Sequence, residues 1–227
     1  MHIYAYYKLF FTYKLSTISN ILGTLLQMIL LVLFWIKIYD ADIYTIKYVV
    51  YSRIVYALIG DSNIWDLAED IRNGNIVIKL VKPISFFKYN LVMHISSKLI
   101  VFIVQCMPFF VMAFVFIPIE INLFRVIFSC FSIILSVIIC YCFDFIISFL
   151  CVFTNSIWGI SAFRDGFIQI FSGALIPIYL MPQFLYSFVH YLPFIYMVDM
   201  PVRILISDYN FWGGIRIQIL YSILMIS

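Results

Sequence analysis

Four charged residues interrupt runs of the chain that are otherwise apolar: Arg53, Asp144, Arg164 and Asp165. A central arginine in a membrane helix costs roughly 2.5–3.5 kcal/mol on insertion scales, so such a group faces protein or water rather than lipid. Charges of this kind are by default functional and paired. These four are the candidates to line a polar pathway. Asp144 with Arg164 is one conceivable pair. Adjacency favours the other reading, an Arg164–Asp165 group near a membrane interface that steadies the short turn before it. No catalytic set accompanies them. His2, His94 and His190 are scattered and no H-E-x-x-H occurs, which argues against a membrane metalloprotease and leaves no metal site to assign. Cys106, Cys130, Cys140, Cys142 and Cys151 lie in apolar runs without a C-x-x-C, and read as free packing thiols. No G-x-x-x-x-G-K-[ST] loop is present, so the chain does not itself cradle ATP phosphates in the usual way, and no cofactor is assigned to it.

The elements that position these charges follow from composition. Of 227 residues, 65% are hydrophobic and 11% charged, whereas a soluble domain carries about 25% charged residues. Lipid is therefore the solvent for most of the chain. The net charge of +3 is too small, and the aromatics too deep in apolar runs, for a nucleic-acid surface. The sequence predicts one all-α polytopic membrane domain over 1–227. An interfacial helix over 1–20 precedes about six spans: 21–38, 44–59, 95–117, 126–153, 158–179 and 212–227. Prolines at 182, 193 and 201 predict short broken helices over 181–205 rather than a full span. Within the second span, Lys47 can snorkel while Arg53 lies deeper. With an even number of spans and the N-terminus inside, the basic residues at the inner side (Lys8, Lys14, Arg72, Lys79, Lys82, Lys88 and Lys98) outnumber those at the outer side (Lys37, Lys47, Arg125 and Arg203). That bias places the N-terminus and the 61–90 segment in the cytoplasm.

The 61–90 segment has its own local chemistry. "WDLAEDI" puts Asp66, Glu69 and Asp70 at the start of a short helix, where negative charge suits the helix dipole. "RNG" signals a turn in which Gly74 can take positive φ. "NIVIKLVKP" is an apolar element with Lys79 within it, stopped by Pro83. Ser85 is a candidate N-cap for the helix leading into the third span. The expected result is a helix–turn–helix knob beneath the membrane; periodicity alone equally allows a solvated basic loop.

"LAEDIRNGNIVIKLVKPISFFKYNL" resembles the cytoplasmic segment of type-2 ABC (ATP-binding cassette) exporter permeases. That family carries an acidic residue, an arginine, a glycine and a leucine–x–x–proline in this order, here Glu69, Arg72, Gly74 and Leu80 to Pro83. Downstream, "SGALIPIYLMPQFLYSFVHYLPFIYMVDMPVRILI" resembles the same branch's proline-punctuated run, with Gly173, Pro177, Pro182, Pro193 and Pro201. The resemblance covers nearly the whole chain and departs at the end, where relatives complete the sixth span and add a basic tail. It implies half of a transmembrane pathway for a drug-like or amphipathic compound, completed by a second permease subunit, as a homo- or heterodimer in the cell membrane. It implies an ATP-binding partner subunit that holds the ATP and magnesium. Asp66, Glu69, Arg72, Gly74, Leu80, Lys82 and Pro83 would form the coupling contact, with a smaller one at Asn155. The proline-rich run would form re-entrant helices at the outer side. The competing reading is an ion-driven secondary transporter, or another polytopic protein without an ATPase partner; it predicts inverted repeats with paired broken helices.

Overall fold

The computed structural model describes residues 14–60, 64–80, 85–117, 122–154, 157–206 and 211–226, and every regular element among them is helical. Two long helices open the fold, α1 (Lys14–Tyr39) and α2 (Ile43–Gly60). Two short ones follow, α3 (Ile64–Arg72) and α4 (Asn75–Leu80). Next come α5 (Phe86–Val101) and α6 (Met107–Phe116), joined without a break by a π-helical turn over Phe102–Cys106. Pro108 sits in the first turn of α6; it has no N–H to donate backwards, which accounts for the irregular turn before it. The rest is α7 (Leu123–Ser148), α8 (Ile157–Phe171), the short α9 (Gln183–His190) and α10 (Asp199–Ile206), and α11 (Phe211–Ile226).

Six longer helical stretches thus stand where six spans were expected. Three of them are long and apolar enough to cross a membrane: Ile18–Lys37, Phe86–Val115 and Leu123–Cys151. The first is hardly buried, with Leu22, Leu26, Leu30 and Leu33 exposed, as a helix bordered by lipid should be. Several boundaries differ from expectation. Residues 14–20 are the first turns of α1 and run on into the first span, because nothing between Lys14 and Leu25 breaks the helix; residues 1–13 lie outside the described residues. The third span begins at Phe86 rather than Ile95, since the polar residues 88–90 are tolerated on its first turns. Ser85 occupies the cap position without a side-chain cap bond. Lys98, counted above as a loop cation, is buried within α5. The fifth span stops at Phe171, short of Tyr179, where Gly173 turns the chain with φ +86°.

Helix α7 is the central post, packing against α10, α11, α3, α5 and α8. In lipid the hydrophobic effect does not pull helices together, so packing and interhelical hydrogen bonds must. Gln218 of α11 supplies one such set. It accepts from Ser132 Oγ (2.8 Å) and donates to the Ser132 and Tyr196 carbonyls (2.8 and 2.9 Å). Gln105, within the π turn, donates to Thr24 Oγ1 of α1 (2.7 Å). At the start of α2, Asp42 accepts from the Thr45 amide (3.0 Å) and from the Thr45 hydroxyl. These bonds favour the ionised carboxylate and hold Asp42 below the usual carboxylate range. A depressed pKa in the folded state contributes stability above the unfolded value, about 3.9, and loses it as pH falls through the folded value. Asp42→Asn is therefore expected to flatten the acid limb of stability below roughly pH 4, checked by thermal unfolding across a pH series.

Candidate functional site

The knob forms from its local sequence. Ile64, Leu67 and Ala68 recur at i, i+3 and i+4, and so share one face of α3. That face is fully buried. Ile64 and Ala68 pack on Ile147 and Cys151, at the far end of α7 and the 3-10 turn that continues it, and on Ile157 at the start of α8. The opposite face leaves Trp65, Glu69 and Arg72 exposed. Asn73 and Gly74 make the turn into α4, with Gly74 at φ +72°, the positive value the sequence predicts. Val77 of α4 is also exposed. Asp66 and Leu80 belong to α3 and α4, but their side chains lie outside the described residues, as do Lys82, Pro83 and Asn155.

Directly behind the knob lies the buried charge cluster. Arg164 of α8 has no exposed surface. Its Nε donates to Asp144 Oδ1 (2.7 Å) and its Nη2 to Asp144 Oδ2 (3.0 Å), a two-point pairing across helices. Nη1 donates to Asp165 Oδ1 (2.9 Å). The remaining donors reach backbone: Nη1 to the Gly60 carbonyl (2.8 Å) and Nη2 to that of Ile59 (3.2 Å). These are carbonyls from the last turn of α2, which have no intrahelical partner. Nη2 also lies 2.9 Å from Cys140 Sγ. The Arg164–Asp165 contact is present, and the conceivable Asp144–Arg164 pair is formed as well. Arg164 is interior, Asp144 takes two of its donors, and only Asp165 reaches solvent, with 39% of its side chain exposed. Asp144 and Arg164 sit on different helices whose facing sides happen to meet, which spacing along the chain does not encode.

Arg53 lies apart from this cluster. It is buried on α2, donates to Gln27 of α1, and stacks its guanidinium 5.0 Å from the Tyr56 ring centroid. It faces protein, as its insertion cost demands.

A second polar site holds the proline-rich run. Tyr48, near the start of α2, donates to Asp199 Oδ1 (2.7 Å), and Arg203 lies 3.6 Å from the other oxygen. The Asp199 amide donates to the Ser172 carbonyl (3.0 Å). Pro177 precedes a 3-10 turn, Pro182 precedes α9, and Pro193 opens a second 3-10 turn. Pro201 is buried in α10, and its carbonyl accepts from Ser129 Oγ of α7 (2.9 Å). The expected short broken helices are therefore present. The partners Tyr48, Asp199, Gln27 and Gln218 were missed from sequence; the only signal was a polar residue inside an apolar run. His94 was passed over as scattered, yet it is fully buried with its ring 5.3 Å from that of Tyr141.

In comparison with known families, residues 21–227 match the model of a family described as ABC-2 family transporter protein. No curated protein and no solved structure matches the chain.

Proposed function

The chain belongs to the ABC-2 family of transporter proteins, and on that premise we propose that it is the permease subunit of an exporter driven by ATP hydrolysis on a separate nucleotide-binding subunit. The observation that carries this reading is the knob. Its apolar side is seated on the ends of α7 and α8, while Trp65, Glu69, Arg72 and Val77 face outward. A surface with an exposed aromatic, an exposed aliphatic and two opposite charges suits docking into a groove of another protein. ATP and magnesium reside on that partner. A second permease subunit supplies the other half of the pathway, and Arg53, Asp144, Arg164 and Asp165 contribute its polar groups or support them.

Tagged chain co-expressed with an ATP-binding subunit that carries a G-x-x-x-x-G-K-[ST] loop is expected to retain it through purification. Glu69→Lys and Arg72→Glu are each expected to weaken that association and to lower the assembled ATPase rate. Retention unaffected by either reversal would remove the knob from the interface. Failure of the unsubstituted chain to retain the subunit would leave an ion-driven transporter as the better reading. Orientation has a separate check. A cysteine at Asn73, exposed on the knob, is expected to resist a membrane-impermeant maleimide in intact cells and to react after the cells are opened; labelling from outside reverses the topology.

A further inference from the structure

We propose that Arg164 is the positioning residue through which displacement of the knob reaches the proline-rich segment on the other side of the bundle, an inference that rests on the permease reading above. The knob joins the membrane helices at Gly60, the last residue of α2, through residues 61–63. At that junction Arg164 holds the final carbonyls of α2 while its other donors hold Asp144 of α7 and Asp165 of α8. One guanidinium thus ties three helices together at the point where the knob attaches. The knob's buried face touches the same two partners, α7 through Ile147 and α8 through Ile157. A shift of the knob therefore loads the cluster from both sides.

Two rigid elements lead away from the cluster to the same place. Helix α2 runs back from Gly60 to Tyr48, about 18 Å at 1.5 Å per residue, and Tyr48 is bonded to Asp199. Helix α8 runs forward from Arg164 to Phe171, beyond which the Ser172 carbonyl accepts from the Asp199 amide. Both routes end on the first residue of α10. The planar fork of arginine is what allows one residue to serve carboxylate and carbonyls together. A fully satisfied buried network also moves as a unit, because any partial opening leaves an unpaired charge in a low-dielectric interior. Stability does not require such a cluster, since buried ion pairs are often replaceable by apolar residues; transmission does.

The test uses the complex with its ATP-binding subunit in lipid nanodiscs. An environment-sensitive fluorophore is placed on Tyr191→Cys, which is highly exposed, in a Cys130→Ser background that removes the exposed native thiol. Magnesium–ATP is expected to shift the fluorophore's emission in the unsubstituted complex. Asp144→Leu/Arg164→Met is expected to retain the ATP-binding subunit through purification while losing the shift. Asp144→Glu, which preserves the carboxylate, is expected to retain it. A shift that persists in the double variant overturns the relay, as does its absence from an unsubstituted complex that hydrolyses ATP. If the double variant does not assemble, Asp144→Asn is read by the same shift, with the same meaning of loss and persistence. Failure of the unsubstituted chain to bind the ATPase subunit would instead overturn the permease reading.

Discussion

Arg164→Met and Asp144→Leu are each expected to lower stability by about 3–5 kcal/mol, and the double variant to recover the part of that loss that comes from a lone buried charge. Arg164→Met leaves a carboxylate without exposed surface and strands the Ile59 and Gly60 carbonyls. Asp144→Leu leaves a buried guanidinium whose only ionic partner among the described residues is the half-exposed Asp165. The pair's loss of hydration is large, and its mutual attraction in a low dielectric is of similar size, so the intact pair contributes little net stability while either half alone is costly. The double variant removes both charges and fills the space with apolar side chains. The checking measurement is a double-mutant cycle by thermal unfolding of the purified chain, in which the two penalties should be strongly non-additive. Additive penalties would mean that the two side chains act independently, contrary to bonds of 2.7 and 3.0 Å between them.

Gly173→Ala is expected to cost about 2–5 kcal/mol, from two separable sources. At φ +86° any L residue pays the left-handed backbone penalty, roughly 1–2 kcal/mol. The added Cβ would also fall onto the Tyr48 hydroxyl and 3.0 Å from Ile178 Cγ1. Tyr48 would have to leave Asp199, and an unsatisfied buried acceptor costs about 1–3 kcal/mol. Gly74→Ala serves as the reference. Its φ of +72° is similarly left-handed, but nothing lies within 4 Å of the new Cβ, so only the backbone part should appear. Thermal unfolding of the two variants side by side separates strain from clash. Equal losses at the two glycines would show that the Tyr48 contact carries no weight.

Particular elements show how far the sequence reaches. The turn at Asn73–Gly74 was legible because glycine after asparagine is a local signal, and the chain obeys it. The broken helices over 181–205 were legible because proline removes a donor wherever it stands. The helix start after Ser85 was legible, but the third span was begun later, at Ile95, because Lys88, Tyr89 and Asn90 look like loop residues; Tyr89 and Asn90 are half-buried in the first turns of α5. The boundary expected after residue 20 is absent for a similar reason: bulky and polar residues alternate over 14–20, but no breaker separates them from the apolar run that follows.

What the sequence determined by itself was the medium, the rough places of the longer helices, and which residues are too costly to leave in lipid. Those properties depend on composition and on neighbours along the chain, through hydration, backbone propensity and the length of a helix relative to a bilayer. Only the tertiary structure decided who meets whom: Arg164 with Asp144 and the end of α2, Arg53 with Gln27, Tyr48 with Asp199, and the knob's Ile64 and Ala68 with α7 and α8. The reason is that a charge states its need for a partner locally, whereas the partner is chosen by helix rotation and packing. In lipid many apolar rotations are nearly equivalent, and the few interhelical polar bonds select among them.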